Sequence, residues 1–258
     1  MILFNSFLIF LIGIILGSFA NVCIYRLPKN KQVITGRSFC PKCKKKIKWY
    51  DNLPLISFLI LKMKCRNCNK IISPRYLIVE LITGITFLLI FLSFNNPSAI
   101  IFLSILSLIL IMIFFIDLEN YIIPDILNFS IMFLALLKNF LPNFNTSFIQ
   151  EINQSIIGGI VGYLCIWTII FLYKTIKKID GMGLGDAKLM AGIGLLFGWQ
   201  SVPFVLFVAS ILGLIFVLPT LIKKQKNMRT EIPFGPFIIV ACLIYFTYGD
   251  FLYSLILV

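Results

Sequence analysis

Asp117 and Asp186 are the two residues whose type and position could support chemistry. Asp117 closes the apolar run Ile105–Ile116. Asp186 ends a glycine-rich stretch and precedes the apolar run Leu189–Trp199. An ionisable group at the end of a membrane helix is energetically costly and marks a functional site by default. Two carboxylates brought close share a proton, so one can activate water while the other protonates a scissile carbonyl, which predicts proteolysis at the membrane edge.

Two glycines closely precede the second aspartate, Asp186. Gly183 and Gly185 stand on either side of Leu184, and Lys188 follows Asp186 by two residues. Glycine allows a tight turn or the close approach of a second backbone, so an extended peptide could lie beside the carboxylate. The alternative interpretation is a glycine-rich turn in which Asp186 caps the following helix. Gly183, Gly185 and Lys188 are therefore auxiliary candidates for the site.

Two further acids are auxiliary candidates. Asp125 follows Pro124 at the start of an apolar segment. Acids favour helix N-termini, so capping is a simpler explanation of Asp125 than catalysis. Glu80 begins the second apolar segment near Arg75, with which it could pair.

Membrane helices are the elements that must position these residues. The chain has 258 residues, of which 60% are hydrophobic and 13% charged, and its mean hydropathy is +1.00. A soluble domain of this size would need a larger polar shell. Because a span needs about 20 apolar residues, we predict an all-α integral membrane protein with about eight transmembrane helices. The predicted spans are 3–24, 77–95, 99–117, 125–141, 155–173, 187–199, 202–222 and 233–250.

Positive charge predicts the orientation of these spans. Fourteen of the 23 Lys and Arg lie between Arg26 and Arg75, and basic loops remain in the cytoplasm. Segments 174–186 and 223–232 also carry Lys or Arg, whereas 142–154 carries neither. We therefore expect both termini outside, with the basic loop and the aspartates at the cytoplasmic side. Contact with membrane lipid headgroups is a second use of this charge, and we expect no nucleic-acid partner.

Four cysteines in the basic loop have the spacing of a metal site. Cys40 and Cys43 form one C-x2-C pair, Cys65 and Cys68 form another, and 21 residues separate the pairs. Four thiolates at this spacing can hold Zn²⁺ tetrahedrally. Disulfides are the alternative, which a cytoplasmic location disfavours. Because four cysteine ligands leave no coordination position for water, we predict a structural zinc site without metalloprotease chemistry.

Histidine is absent from the sequence, which excludes a Ser-His triad and a His-containing catalytic zinc site. Two other classes of function stay open beside proteolysis. Acidic residues at a broken helix also bind protons or ions in secondary transporters, although the chain shows no internal repeat. A membrane scaffold whose zinc loop docks a cytoplasmic partner would explain the cysteines but not the acids.

Several motifs occur in a fixed order along nearly the whole chain. They are Gly17–Pro28, Arg37–Cys43, Trp49–Ser57, Cys65–Cys68, Ile72–Tyr76, Val79–Leu81, Ile116-Asp117, Ile123–Asp125, Gly181–Leu189 and Ile232–Phe237. Together they resemble the type IV prepilin peptidases, bifunctional leader peptidase/N-methyltransferases of the GxGD aspartyl protease group. The sequence departs mildly from this pattern at Ile123, where the family usually has leucine.

The resemblance implies an aspartic endopeptidase of the bacterial plasma (inner) membrane with Asp117 and Asp186 as the catalytic pair. It implies type IV prepilin or pseudopilin precursors as substrates, cut after the glycine that ends a short basic leader. Methylation of the new N-terminal residue would use S-adenosyl-L-methionine, for which the sequence identifies no binding residues. The expected domains are a first transmembrane helix at 1–25, a zinc loop associated with methyl transfer at 26–76, and a seven-helix peptidase domain at 77–258.

A basic leader should be repelled by the basic loop. We therefore expect it to meet an acidic group formed by Asp117, Glu119, Asp125 and Asp186, with Glu80 as a further member.

Overall fold

The computed structural model describes residues 2–33, 36, 38–140, 152–178, 182–222 and 232–256. In this part of the chain the regular structure is helical, and pairing between extended segments is limited to two isolated bridges, Phe39–Lys46 and Lys64–Ile71. The helices are α1 (Ile2–Arg26), α2 (Ile56–Ile60), α3 (Arg75–Ser93), α4 (Pro97–Asn120), α5 (Asp125–Leu137), α6 (Ile152–Lys177), α7 (Leu184–Phe197), α8 (Ser201–Ile222) and α9 (Gly235–Ile256). The predicted all-α class is confirmed.

Five helices within the described ranges are long and apolar enough to cross a membrane: α1, α3, α4, α6 and α8. Three other predicted spans coincide with helices whose described apolar parts are shorter. α5 has 13 residues and α7 has 14, while the described apolar part of α9 is Gly235–Gly249. At 1.5 Å per residue, α7 is about 21 Å long, which is shorter than the apolar core of a bilayer.

The chain forms two compact units, Met1–Met112 and Ile113–Val258. In the first unit, α1 packs along α3, and a Cβ on Gly17 would lie 2.9 Å from the Cα of Glu80. The buried guanidinium of Arg26, at the end of α1, donates to the carbonyl oxygens of Gln32 and Val33. Arg26 thereby fixes the path of the chain as it leaves the helix and enters the basic loop.

The second unit is built around α7, which packs against α5, α6, α8 and α9. Burial on all sides explains why α7 is apolar around its whole circumference, with side chains such as Met190 and Ile193 fully buried. The helix ends at Gly198, whose φ of 81° lies in the left-handed region that glycine adopts without strain. The helix begins after Gly183, whose own backbone is extended, with a φ of −80°.

Two glycines allow the backbones of α6 and α7 to touch. A Cβ on Gly158 of α6 would overlap the carbonyl oxygen of Gly194 of α7, and a Cβ on Gly194 would overlap the carbonyl oxygen of Gly158. Small residues at such crossings are the usual means of close helix association in membranes. Gly158 thus provides a packing surface on α6 that sets the position of α7.

Gly158→Ala should destabilise the second unit by about 1–3 kcal/mol, because the added methyl group has no room between the two backbones. Gly213→Ala is the matched control, since a Cβ at Gly213 in α8 would lie 3.5 Å from Phe237, an ordinary contact distance. The thermal unfolding midpoint in detergent should fall for the first variant and stay near that of the unaltered protein for the second. Equal midpoints would contradict the close contact of α6 with α7.

Candidate active site and metal centre

The structure brings Asp117 and Asp186 together in the second unit. Asp117 lies in the last turn of α4 and is 5% exposed; Asp186 lies in the first turn of α7 and is 8% exposed. The two carboxylates are close enough for the charge of one to act on the other. Because both are removed from water, their mutual repulsion is weakly screened, and one proton shared between them is the favoured arrangement.

Asp117 is held by the beginning of α9. The backbone N–H of Gly235 donates to Oδ2 of Asp117 over 2.9 Å, although the two residues are 118 positions apart in the sequence. Oδ1 of the same carboxylate takes no part in this bond. The contact therefore fixes the orientation of the carboxylate plane.

Asp186 lies in the first turn of α7, as the capping alternative predicted, but within the described residues no side-chain capping hydrogen bond forms at that end of the helix. The backbone N–H of Gly183, which precedes α7, and the charge of Asp117 both act electrostatically on the carboxylate of Asp186. Its position at the helix N-terminus and its interaction with Asp117 are therefore compatible.

The auxiliary residues of the glycine-rich stretch have distinct surroundings. Gly183 is not tightly packed, since a Cβ there would lie at ordinary contact distance, 3.8 Å from N of Gly185 and 3.9 Å from Oδ2 of Asp186. Gly185 packs tightly on Ile123, whose Cβ would be 3.1 Å from an added Cβ. Asp180 and Gly181, at the beginning of the stretch, lie outside the described residues.

Asp125 is the first residue of α5, and its carboxylate accepts a hydrogen bond from Nζ of Lys188 over 2.6 Å. The side chains are 58% and 27% exposed, so this ion pair contributes at most about 1 kcal/mol. The predicted position at a helix N-terminus is correct, and the structure adds an ion pair that links the beginnings of α5 and α7.

Two residues that the sequence did not single out also tie α5 to α7. Asn128, fully buried, donates from Nδ2 to the carbonyl oxygen of Gly185 over 3.2 Å. Lys138, 2% exposed, donates from Nζ to the carbonyl oxygens of Leu195 and Leu196 at the other end of α7. A cation at a helix C-terminus satisfies carbonyls that have no partner within the helix. With Lys188, these contacts hold α7 at both ends.

The four predicted metal ligands meet in the first unit. The Sγ atoms of Cys40, Cys43, Cys65 and Cys68 all lie within 4.8 Å of one another, and none of the four forms a disulfide. A tetrahedral zinc with bonds of about 2.3 Å places its sulfur ligands about 3.8 Å apart, which agrees with the 4.0 Å between Sγ of Cys40 and Sγ of Cys68. The site can hold a metal ion.

Each cysteine pair lies in a turn of the same construction. The N–H of Cys40 donates to the carbonyl of Lys45, and the N–H of Cys65 donates to the carbonyl of Lys70. The N–H groups of Cys68 and Asn67 lower the pKa of the Cys65 thiol to about 7. Amides aimed at the sulfur favour the thiolate, which is the form that binds metal.

Glu80 lies in the first unit, on α3, and its carboxylate is engaged there. Oε2 accepts the N–H of Leu55 over 2.9 Å, and the carboxylate also accepts the hydroxyl of Ser18. The backbone of Leu55 has a φ of 59°, which is unusual for a residue with a branched side chain. Glu80 thus joins α1, α3 and the loop after the first cysteine pair.

Apolar helices that can cross a membrane, together with two interacting buried aspartates at helix ends, are the parts of a membrane aspartyl peptidase. Residues 11–94 match the Bacterial Peptidase A24 N-terminal domain, and residues 104–218 match the Type IV leader peptidase family. The chain belongs to the type IV leader peptidase family and is a membrane peptidase, as the motifs predicted.

Similar proteins are named prepilin leader peptidase/N-methyltransferase. That of Vibrio cholerae serotype O1 is 36% identical over 250 residues, covering 92% of this chain and 94% of that protein. That of Klebsiella pneumoniae is 37% identical over 215 residues, covering 81% and 91%. That of Aeromonas salmonicida is 31% identical over 268 residues, covering 94% and 90%. No solved structure matches the chain.

Proposed function

We propose that this peptidase cleaves the basic leader of type IV prepilin or pseudopilin precursors after a glycine, with Asp117 and Asp186 as its catalytic pair. The observation that carries the proposal is the electrostatic interaction between these two buried carboxylates at the ends of α4 and α7. The names of the similar proteins supply the class of substrate.

The pair acts by sharing one proton. The ionised carboxylate takes a proton from water as the water attacks the scissile carbonyl, and the protonated carboxylate donates its proton to the carbonyl oxygen. When the C–N bond breaks, the first carboxylate passes the proton from water to the leaving amine, and the second carboxylate takes a proton back from a hydroxyl group of the intermediate. In this proposal an extended peptide approaches Asp186 beside Gly183, where glycine presents no side chain. Because the sequence contains no histidine, the carboxylates are the strongest candidates for this proton transfer.

The proposed setting is the bacterial inner membrane, with eight spans, both termini outside and the site at the cytoplasmic face. The five apolar helices and the concentration of Lys and Arg between Arg26 and Arg75 support this orientation. A basic leader that stays in the cytoplasm brings the bond after it to the cytoplasmic end of the substrate helix, the depth assigned to Asp117 and Asp186.

Two cofactors complete the proposal. Zn²⁺ bound by the four cysteines would have a structural role, because four thiolates leave no position for substrate or water. S-adenosyl-L-methionine would supply the methyl group for the new N-terminal amine, as the names of the similar proteins indicate for them. We assign no residues to its binding.

Cleavage of a precursor by the purified protein in nanodiscs tests the proposal. The substrate carries a basic leader, a glycine, a phenylalanine and an apolar helix, and mass spectrometry reads the new N-terminus. We expect a cut after the glycine, followed by a gain of one methyl group when S-adenosyl-L-methionine is added. Intact precursor together with ion uptake into proteoliposomes would favour a transporter, and intact precursor without uptake would favour a scaffold.

Recognition of a basic leader would involve Glu119, an exposed residue two positions after Asp117 in the sequence. Glu119→Lys should raise KM for the basic leader by about 2- to 10-fold, since one exposed charge contact is worth up to about 1 kcal/mol. A precursor whose leader lysines are replaced by glutamine is the matched control and should show little change. Equal effects on both precursors would contradict recognition of the leader by charge at Glu119.

A further inference from the structure

The beginning of α9 offers a single backbone amide to Asp117. The N–H of Gly235 donates to Oδ2 of Asp117, the next residue, Pro236, has no N–H, and the N–H of Phe237 is already bonded to the carbonyl of Phe234. Helix N-termini ordinarily present several unpaired amides. In the first turn of α9, Gly235 is therefore the residue whose N–H donates to the carboxylate of Asp117.

Steric fit makes this contact specific to glycine. A Cβ on Gly235 would lie 2.7 Å from Oδ2 of Asp117 and 3.1 Å from Cδ1 of Ile123. Gly235 and Asp117 are both buried, so water does not compete for the hydrogen bond. Asp186 differs in the described residues, because Gly183, which precedes α7, makes no capping hydrogen bond of this kind and a Cβ there would stay 3.8 Å or more from its neighbours.

We propose that Gly235 is a positioning residue that holds Asp117 as the ionised member of the pair, with Oδ1 left to take the proton from water. The inference rests on the proposed function. A hydrogen bond from an amide favours a carboxylate over a carboxylic acid, and the positive end of α9 acts in the same direction. Asp186, the titratable group whose interaction with Asp117 is observed, then keeps the proton and acts as the acid. Occupation of Oδ2 by Gly235 leaves Oδ1 as the oxygen free to act.

Replacement of the residue 235 amide by an ester tests this assignment, because glycolic acid introduced at that position removes the N–H and adds no bulk. We expect kcat to fall by about 10- to 100-fold, since a hydrogen bond to a charged group is worth about 1.5–3 kcal/mol. KM should stay within about twofold, because Gly235 contacts Asp117 and acts on the pair through it. The acidic limb of the kcat profile should move to higher pH by about one unit, which separates loss of this bond from a general loss of structure.

A second variant and two controls complete the experiment. Gly235→Ala should lower kcat at least as much as the ester, whereas Gly213→Ala, in α8, should leave kcat and the pH profile unchanged. An ester enzyme with the kcat and pH profile of the unaltered protein, beside an inactive Asp117→Asn, would overturn the inference alone. A rise in KM at constant kcat, or a shift of the basic limb only, would also overturn it. Normal cleavage by Asp117→Asn would overturn the proposed function itself.

Discussion

Replacing Asp117 or Asp186 by asparagine should each lower kcat for precursor cleavage by about 100- to 10,000-fold, the range that a positioned acid or base contributes. Asparagine keeps the shape of the side chain and removes its titratable proton, so the loss reports chemistry. The two losses should be strongly non-additive, because neither carboxylate can activate water and protonate the substrate alone. Cleavage of a purified precursor under single-turnover conditions measures the effect.

Asp125→Asn is the matched control for these variants. Asp125 shares the residue type and the helix-end position, but its carboxylate is 58% exposed and paired with Lys188. We expect kcat within about threefold of the unaltered enzyme, since an exposed ion pair contributes at most about 1 kcal/mol. Normal cleavage by Asp117→Asn together with an inactive Asp125→Asn would show that Asp125 is the partner of Asp186.

Cys65→Ser should reduce the zinc content of the purified protein from about one ion per chain to less than about 0.1, because a serine hydroxyl is a poor replacement for a thiolate in a tetrahedral sulfur site. The structural role predicts a second effect, faster proteolysis of the loop between α1 and α3. Binding of a structural zinc contributes on the order of 10 kcal/mol to the folding of small zinc domains. Metal analysis and limited proteolysis measure the two effects independently.

Cys165→Ser is the control for this prediction, because Cys165 lies in α6 and is not a member of the four-cysteine cluster. Its zinc content and proteolysis pattern should match those of the unaltered protein. Full zinc content in Cys65→Ser would show that the cluster does not hold the metal as a four-thiolate site.

The sequence was sufficient to predict the parts of the candidate sites in which the residue type itself indicates the chemistry. The C-x2-C spacing of the four cysteines predicted their convergence. The acids at the ends of apolar runs identified candidates for the site, and the family resemblance paired Asp117 with Asp186, which interact electrostatically. Both predictions depend on rare residue types in a background that is largely apolar, and such residues are conspicuous.

The contacts that the sequence missed involve the backbone or an unusual burial. Gly235 acts through its amide, and an amide is common to every residue except proline, so only the pattern of prolines around it gave a signal. Lys138 lies near the end of the fourth predicted span, and its side chain is buried against the carbonyls that end α7. No local pattern distinguishes a lysine at the membrane surface from one that folds back onto a neighbouring helix.

The direct contact between the backbones of α6 and α7 fixes the position of α7 along α6. Gly158 and Gly194 interlock without intervening side chains, so α7 cannot slide along α6 by a turn without driving larger residues into the contact. The position of Asp186 relative to α6 is consequently a fixed property of the fold. Under the proposed function, the bond that is cut is selected by where the apolar helix of the precursor begins, and leaders of different lengths are all cut at the same distance from the membrane.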